Sequence, residues 1–172
     1  MFMASSISLL APGLVLFWVS LADAGDTDAK TLRARLQAIS PGEKVTLTNA
    51  EWRKLLTPAQ FQVLRQAATE PPFKNEYANS HRKGVYLCGA CGHELFDGQT
   101  KFDSGTGWPS FFAPLAPDRI ALSADTSSGL KRQEVKCARC GSHLGHLFND
   151  GPPPTRLRYC LNSLALKLKP RP

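Results

Sequence analysis

The stretches GVYLCGACGHELF (residues 84 to 96) and VKCARCGSHLGHLF (residues 135 to 148) each hold two cysteines three positions apart with a glycine directly behind: Cys88, Cys91 and Gly92, then Cys137, Cys140 and Gly141. A Cys-x-x-Cys turn aims two sulfurs at one point, and the glycine permits the tight backbone that such a turn needs. Two of these turns together build a closed tetrahedral site of four thiolates, which suits one Zn2+. A closed site leaves no position for substrate, so the ion would be structural, pinning the segment that ends at Cys88 to the one that ends at Cys137. The span from Gly92 to Lys136 is long for a compact zinc ribbon and implies a β insertion between the turns. Two separate Cys-x-x-Cys disulfides or redox motifs are the other reading of the same pattern.

Outward from these turns the chain reads as mainly β. Segments such as GVYLC, DRIAL, QEVKC and LRYCL are short, rich in strand formers and separated by Gly, Pro, Asp and Ser clusters, as short antiparallel strands are. LALKLK (164 to 169) alternates Leu164, Leu166 and Leu168 with Ala165, Lys167 and Lys169, the pattern of a strand with one buried face. Two helices precede this region. Thr48 with Glu51, and Thr57 with Pro58 and Gln60, are capping boxes, and they predict helices near 49 to 55 and 58 to 67 with Leu55, Leu56, Phe61 and Leu64 on a buried face.

The 172 residues, 42% of them hydrophobic, are sized for one domain with its own apolar core. Lys and Arg number 21 against 14 Asp and Glu, a net +7 that reads as a solvated surface because no basic run exceeds three residues. Residues 7 to 21, ISLLAPGLVLFWVSL, carry no charge, and Ala22, Asp23 and Ala24 follow with an A-x-A spacing. Residues 1 to 24 therefore read as a cleaved export signal, which places the mature protein in the periplasm or outside the cell. An uncleaved membrane anchor is the less favoured reading, since the apolar run is short and broken by Pro12 and Gly13. Residues 25 to 45 form an N-terminal arm or short leading helix, and residues 46 to 172 the domain proper.

Five cysteines are present, and Cys160 is the one without a partner pair. His143, His146, Asp150, Arg158 and Asn162 crowd the sequence near it. A thiol attacks as its thiolate, which a neighbouring Arg or His cation stabilises. Arg158 and Asn162 stand two residues either side of Cys160 on the expected strand and so share its face. The two histidines are expected on a loop, from which an imidazole could protonate an oxygen leaving group. Trp108, between Gly107 and Pro109, is either a core plug or the wall of an apolar slot. An amidase, a peroxide reductase and a sulfoxide reductase would each fit this kit of residues.

The segments EWRKLLTPAQFQVLRQAATEPPFKNEY, GVYLCGACGHELF, TKFDSGTGWPSFF, VKCARCGSHLGHLFNDGP and LRYCLNSLALKL resemble, in that order, the signature segments of the B-type peptide methionine sulfoxide reductases. The resemblance covers residues 46 to about 169 and is most specific in GWPSF, HLGHLF and RYCLNS. It implies two antiparallel sheets with small helices, and reduction of the R epimer of methionine sulfoxide. It also implies Cys160 as catalytic nucleophile, Trp108 and Phe148 as substrate contacts, and His143, His146, Asp150, Arg158 and Asn162 as the surrounding polar network. Cys88, Cys91, Cys137 and Cys140 match the family's zinc ligands. Thr106 stands where many members carry a resolving cysteine, so the expected reductant is an external thiol: thioredoxin, glutaredoxin or a small thiol. A monomer without a nucleic-acid partner is expected. The rival is a zinc-ribbon-like binding module without catalysis, which the paired knuckles and positive charge would suit.

Overall fold

The structure is a computed structural model that describes residues 21–127, 129 and 131–171. The apolar run read as the core of an export signal lies, apart from Leu21, outside the described residues. Helix α1 (Leu21–Ala38) takes up most of the expected arm, and the expected cleavage point after Ala24 falls in its first turns. Both capping boxes form. At helix α2 (Asn49–Leu55) the Thr48 hydroxyl accepts from the Glu51 N–H at 3.2 Å, and the Glu51 carboxylate accepts from the Thr48 N–H at 2.8 Å. Thr57 and Gln60 repeat the exchange at helix α3 (Pro58–Gln66), which stops one residue earlier than the sequence suggests because Ala67 turns into the left-handed region at φ 55°. Leu56, Phe61 and Leu64 are buried as expected, but the deepest residue of the pair is Trp52, which the apolar spacing does not single out.

Nine strands follow among the described residues. Strands β1 (Gly84–Cys88), β2 (Glu94–Asp97) and β9 (Leu166–Pro170) form a three-stranded sheet in the order β2-β1-β9. Strands β3 (Lys101–Phe102), β4 (Ser110–Phe111), β5 (Ile120–Asp125), β6 (Arg132–Cys137), β7 (His143–Phe148) and β8 (Arg158–Leu161) form a six-stranded sheet in the order β3-β4-β8-β7-β6-β5. Every pairing is antiparallel. The fold is thus mainly β, two antiparallel sheets with three helices at the N-terminal side.

The segment LALKLK is only partly the strand its alternation suggests. Leu166 and Leu168 are buried and Lys167 and Lys169 exposed along β9, but Ser163–Ala165 is a 3-10 turn. The cause is Glu70, whose buried carboxylate accepts the backbone N–H groups of Ser163 and, at 2.9 Å, Leu164. Amides captured in this way are lost to a sheet ladder.

Aromatic rings join the two sheets. Tyr86 of β1 meets Phe111 of β4 edge-on at 5.0 Å between centroids, and Phe96 of β2 lies 4.7 Å from Phe111 and 5.5 Å from Tyr159 of β8. Tyr86, Phe96 and Phe111 are wholly buried, so this cluster forms the centre of the core. It holds the strand carrying Cys160 rigidly against the smaller sheet.

Candidate active site and metal centre

The two cysteine turns close on each other at the C-terminal ends of β1 and β6. Cys88 ends β1 and Cys137 ends β6, so one pair belongs to the smaller sheet and the other to the larger. The turns are built alike: Gly92 (φ +72°) donates its N–H to the Cys88 carbonyl, and Gly141 (φ +68°) donates to that of Cys137, each at 2.9 Å. All four sulfurs are buried and lie within 4.8 Å of one another, with Cys88 to Cys140 and Cys91 to Cys137 at 3.7 Å. Tetrahedral Zn–S bonds of about 2.3 Å separate neighbouring sulfurs by about 3.8 Å. The donor set and its spacing therefore fit one metal ion with no position left over. The second turn also anchors the N-terminal segment, because the Arg139 guanidinium donates to the carbonyls of Ile39 (2.7 Å), Ser40 (3.3 Å), Glu43 (3.3 Å) and Cys91 (3.1 Å).

Cys160 stands apart from this cluster, in the middle of the six-stranded sheet. It lies half-buried on β8, paired with Ser110 on one side and His146 on the other. With Trp108, His146, Phe148, Arg132 and Asn162 it lines a cavity of about 120 Å³. Trp108 is a wall and not a plug: its ring is half-buried, and its indole N–H donates to the Glu70 carbonyl at 3.0 Å. The Thr106 hydroxyl lies 3.8 Å from the Cys160 sulfur and is held by Ser104 at 2.8 Å, which in turn contacts Ser110 at 2.8 Å.

The histidines lie on a strand and not on the expected loop. Residues three apart on a regular strand face opposite sides, yet the rings of His143 and His146 meet edge-on at 5.4 Å. The β6–β7 register explains it: Val135 faces Gly145 but Lys136 faces His143, so Leu144 is an extra residue and the bulge returns His143 to the face of His146. Only His146 reaches the cavity, and its Nε2 meets the Asp125 carboxylate at 2.7 Å. Asp125 also accepts from the Ser127 hydroxyl and N–H and from Arg132 at 2.7 Å, and these donors, Ser127 foremost, hold it far below the usual carboxylate range. His143 lies behind, buried, with Nδ1 sharing a proton with Glu134 at 2.8 Å and Nε2 without a protein partner among the described residues.

Burial drives the His143 imidazole below its ordinary pKa, against the upward pull of Glu134. The unfolded chain takes up a proton near pH 6.5 that the folded protein resists, so the stability is full above about pH 6.5 and declines as the pH falls below it. His143→Gln is expected to flatten the fall of the urea midpoint between pH 7 and pH 5. A slope identical to the wild type would remove His143 as its cause.

On the other side of Cys160, Arg158 is nearly buried and makes a two-pronged ion pair with Asp150, both bonds 2.8 Å, while its guanidinium lies 4.2 Å above the Phe148 ring. It also interacts with the Cys160 side chain. Asp150 is largely exposed, and neither it nor Arg158 lines the cavity itself; Arg158 reaches the site through its contacts with Phe148 and Cys160. The Asn162 amide is bonded to backbone at both ends: Oδ1 accepts from the Glu70 N–H at 3.0 Å and Nδ2 donates to the Leu144 carbonyl at 3.1 Å. It thereby ties the tryptophan's partner and the bulge to the end of β8. Asp125, Arg132, Glu134 and Glu70 belong to this surround, and the sequence reading missed them. Each reaches the site through strand register or a distant loop that no local pattern announces.

The fold and site define a β protein with four cysteines gathered in one buried cluster that could hold a metal ion, and one further thiol in an aromatic cavity beside an imidazole. The SelR domain family matches residues 56–170. Peptide methionine sulfoxide reductase MsrB of Pseudomonas putida F1 is 54% identical over 129 residues, covering 75% of this chain and 98% of that protein. Those of Methanosarcina barkeri (55% over 125 residues, 73% of this chain, 88% of the relative) and Bradyrhizobium diazoefficiens (52% over 129 residues, 75% and 93%) are similarly close. The chain belongs to the B-type peptide methionine sulfoxide reductase family.

Proposed function

We propose that this protein reduces the R epimer of methionine sulfoxide in peptides and proteins to methionine, and so repairs oxidised proteins. One observation carries the reading: the one cysteine outside the metal knuckles, Cys160, lines a cavity with two aromatic rings and has His146 directly across the strand ladder. Trp108 and Phe148 receive the sulfoxide's apolar methyl, which orients the sulfur toward Cys160 in one configuration only. The Cys160 thiolate attacks that sulfur. The oxygen takes a proton from the histidine side and passes to the cysteine as a sulfenic acid, while methionine leaves. The sulfoxide gains two electrons and the thiol loses two. Because Nε2 of His146 is bonded to Asp125, Nδ1 is the nitrogen left to serve the substrate. Arg158, steadied by Asp150, supplies positive charge beside the sulfur.

Two external thiols, from thioredoxin, glutaredoxin or a small thiol, then restore Cys160 and carry the oxygen away as water. Thr106 supports this route, since a hydroxyl stands against Cys160 where a resolving thiol would be needed. Zn2+ held by Cys88, Cys91, Cys137 and Cys140 would offset two of the four thiolate charges and cross-link the sheets. Residues 1 to 24 serve as a cleaved export signal, and the mature enzyme works as a monomer in the periplasm or outside the cell.

The test is turnover of resolved R and S epimers of a methionine sulfoxide peptide with dithiothreitol. Only the R epimer is expected to react. Without reductant, each chain should release one methionine and end with a dimedone-reactive Cys160 free of any disulfide. Equal reduction of both epimers, or a disulfide from Cys160 to a knuckle cysteine in metallated protein, would refute the reading.

A further inference from the structure

The loop that carries Trp108 is fastened to a second loop. Phe73 follows Pro71 and Pro72 and holds a left-handed backbone at φ 62°, costly for a residue with a Cβ. The Gly107 carbonyl fixes it there by accepting from the Phe73 N–H at 2.9 Å and from the Asn75 amide at 2.7 Å. Gly107 is itself at φ +85°, and a Cβ on it would fall 2.8 Å from the Phe73 ring. Glycine at 107 is thus what lets the phenylalanine lie against the residue that precedes Trp108. Yet Phe73 is 64% exposed, against 46% for Leu122, the other exposed large hydrophobic residue among those described. A ring brought into place by backbone strain and then left in water contributes little to the core.

A sulfoxide side chain entering beside Trp108 leaves its own polypeptide lying across the rim of the cavity, where the free amino acid has nothing. Accepting the reductase reading, we infer that Phe73 is a specificity residue that contacts an apolar side chain flanking the oxidised methionine. It favours peptide over single-residue substrates. The prolines and the two hydrogen bonds to Gly107 preorganise the ring, so little order is lost when the peptide docks.

The experiment compares Phe73→Ala, Phe73→Gly and Phe73→Leu with wild type, using dithiothreitol as reductant so that no protein reductant has to dock. The substrates are R-sulfoxide peptides flanked by leucine or by glycine, and N-acetyl methionine-R-sulfoxide. Phe73→Gly removes the ring while relieving the left-handed strain, so a shared effect with Phe73→Ala belongs to the ring. In both, the ratio of kcat/KM for the leucine-flanked peptide to that for the acetylated residue is expected to fall about five- to tenfold, through KM. Phe73→Leu should recover most of it. An unchanged ratio, or equal losses on all substrates, would overturn this inference alone. Failure of the wild type to turn over any of these R-sulfoxides, peptide or acetylated residue, would overturn the reductase reading and this inference with it.

Discussion

Cys160→Ser loses reduction of R-sulfoxide peptides by on the order of 10³-fold or more in kcat/KM while the melting temperature stays within about 2 °C of wild type. A hydroxyl in place of the thiol keeps the shape of the site but is not ionised near neutral pH and cannot hold the oxygen as a sulfenic acid. The other four sulfurs offer no substitute, because they are buried together and turned on one another at 3.7 Å. The side chain of Cys160 sits half-exposed between Ser110 and His146 on neighbouring strands, so the exchange opens no core cavity. Turnover by the variant above a tenth of wild type would sink Cys160 as the nucleophile.

What the sequence revealed was local. The knuckles follow from two cysteines and a glycine within five residues, and the capping boxes from two side chains three apart. Each satisfies backbone groups that it can reach without knowing the fold. Cys160 was legible through elimination and through the resemblance of its neighbours to a family. The face of His143 was not, because strand alternation puts it opposite His146, and the bulge at Leu144 exists only through pairing with β6. Asp125 and Glu134 become partners of the histidines by register across β5, β6 and β7. Glu70, which removes Leu164 and Ala165 from the start of the expected strand and bonds Trp108 through its carbonyl, acts more than 90 positions from the amides it captures. The strand and turn patterns of a β protein name its elements, whereas its site is assembled by contacts distant in the chain.

The largest structural effect is expected from the metal centre. Removing the ion with a chelator and a thiol-reactive displacer, or replacing Cys137 by serine, should lower the melting temperature by about 10 °C or more and release one zinc per chain. Four buried sulfurs held within 4.8 Å carry no counter-charge of their own, so without a cation they must bind protons or move apart. Moving apart frees the end of β1 from the end of β6, a second tie between the three-stranded and six-stranded sheets beside the aromatic core. Arg139 carries the damage further, because the carbonyls of Ile39, Ser40 and Glu43 lose their anchor when the second knuckle opens. Faster amide exchange is therefore expected at Val45, whose N–H is bonded at 2.8 Å to the Arg139 carbonyl. The β7–β8 ladder around Cys160 has aromatic support of its own from Phe96 and Tyr159, so its exchange should rise less. Metal-free protein that melts within about 2 °C of the loaded form would show that the cluster is no staple and that the core alone joins the sheets.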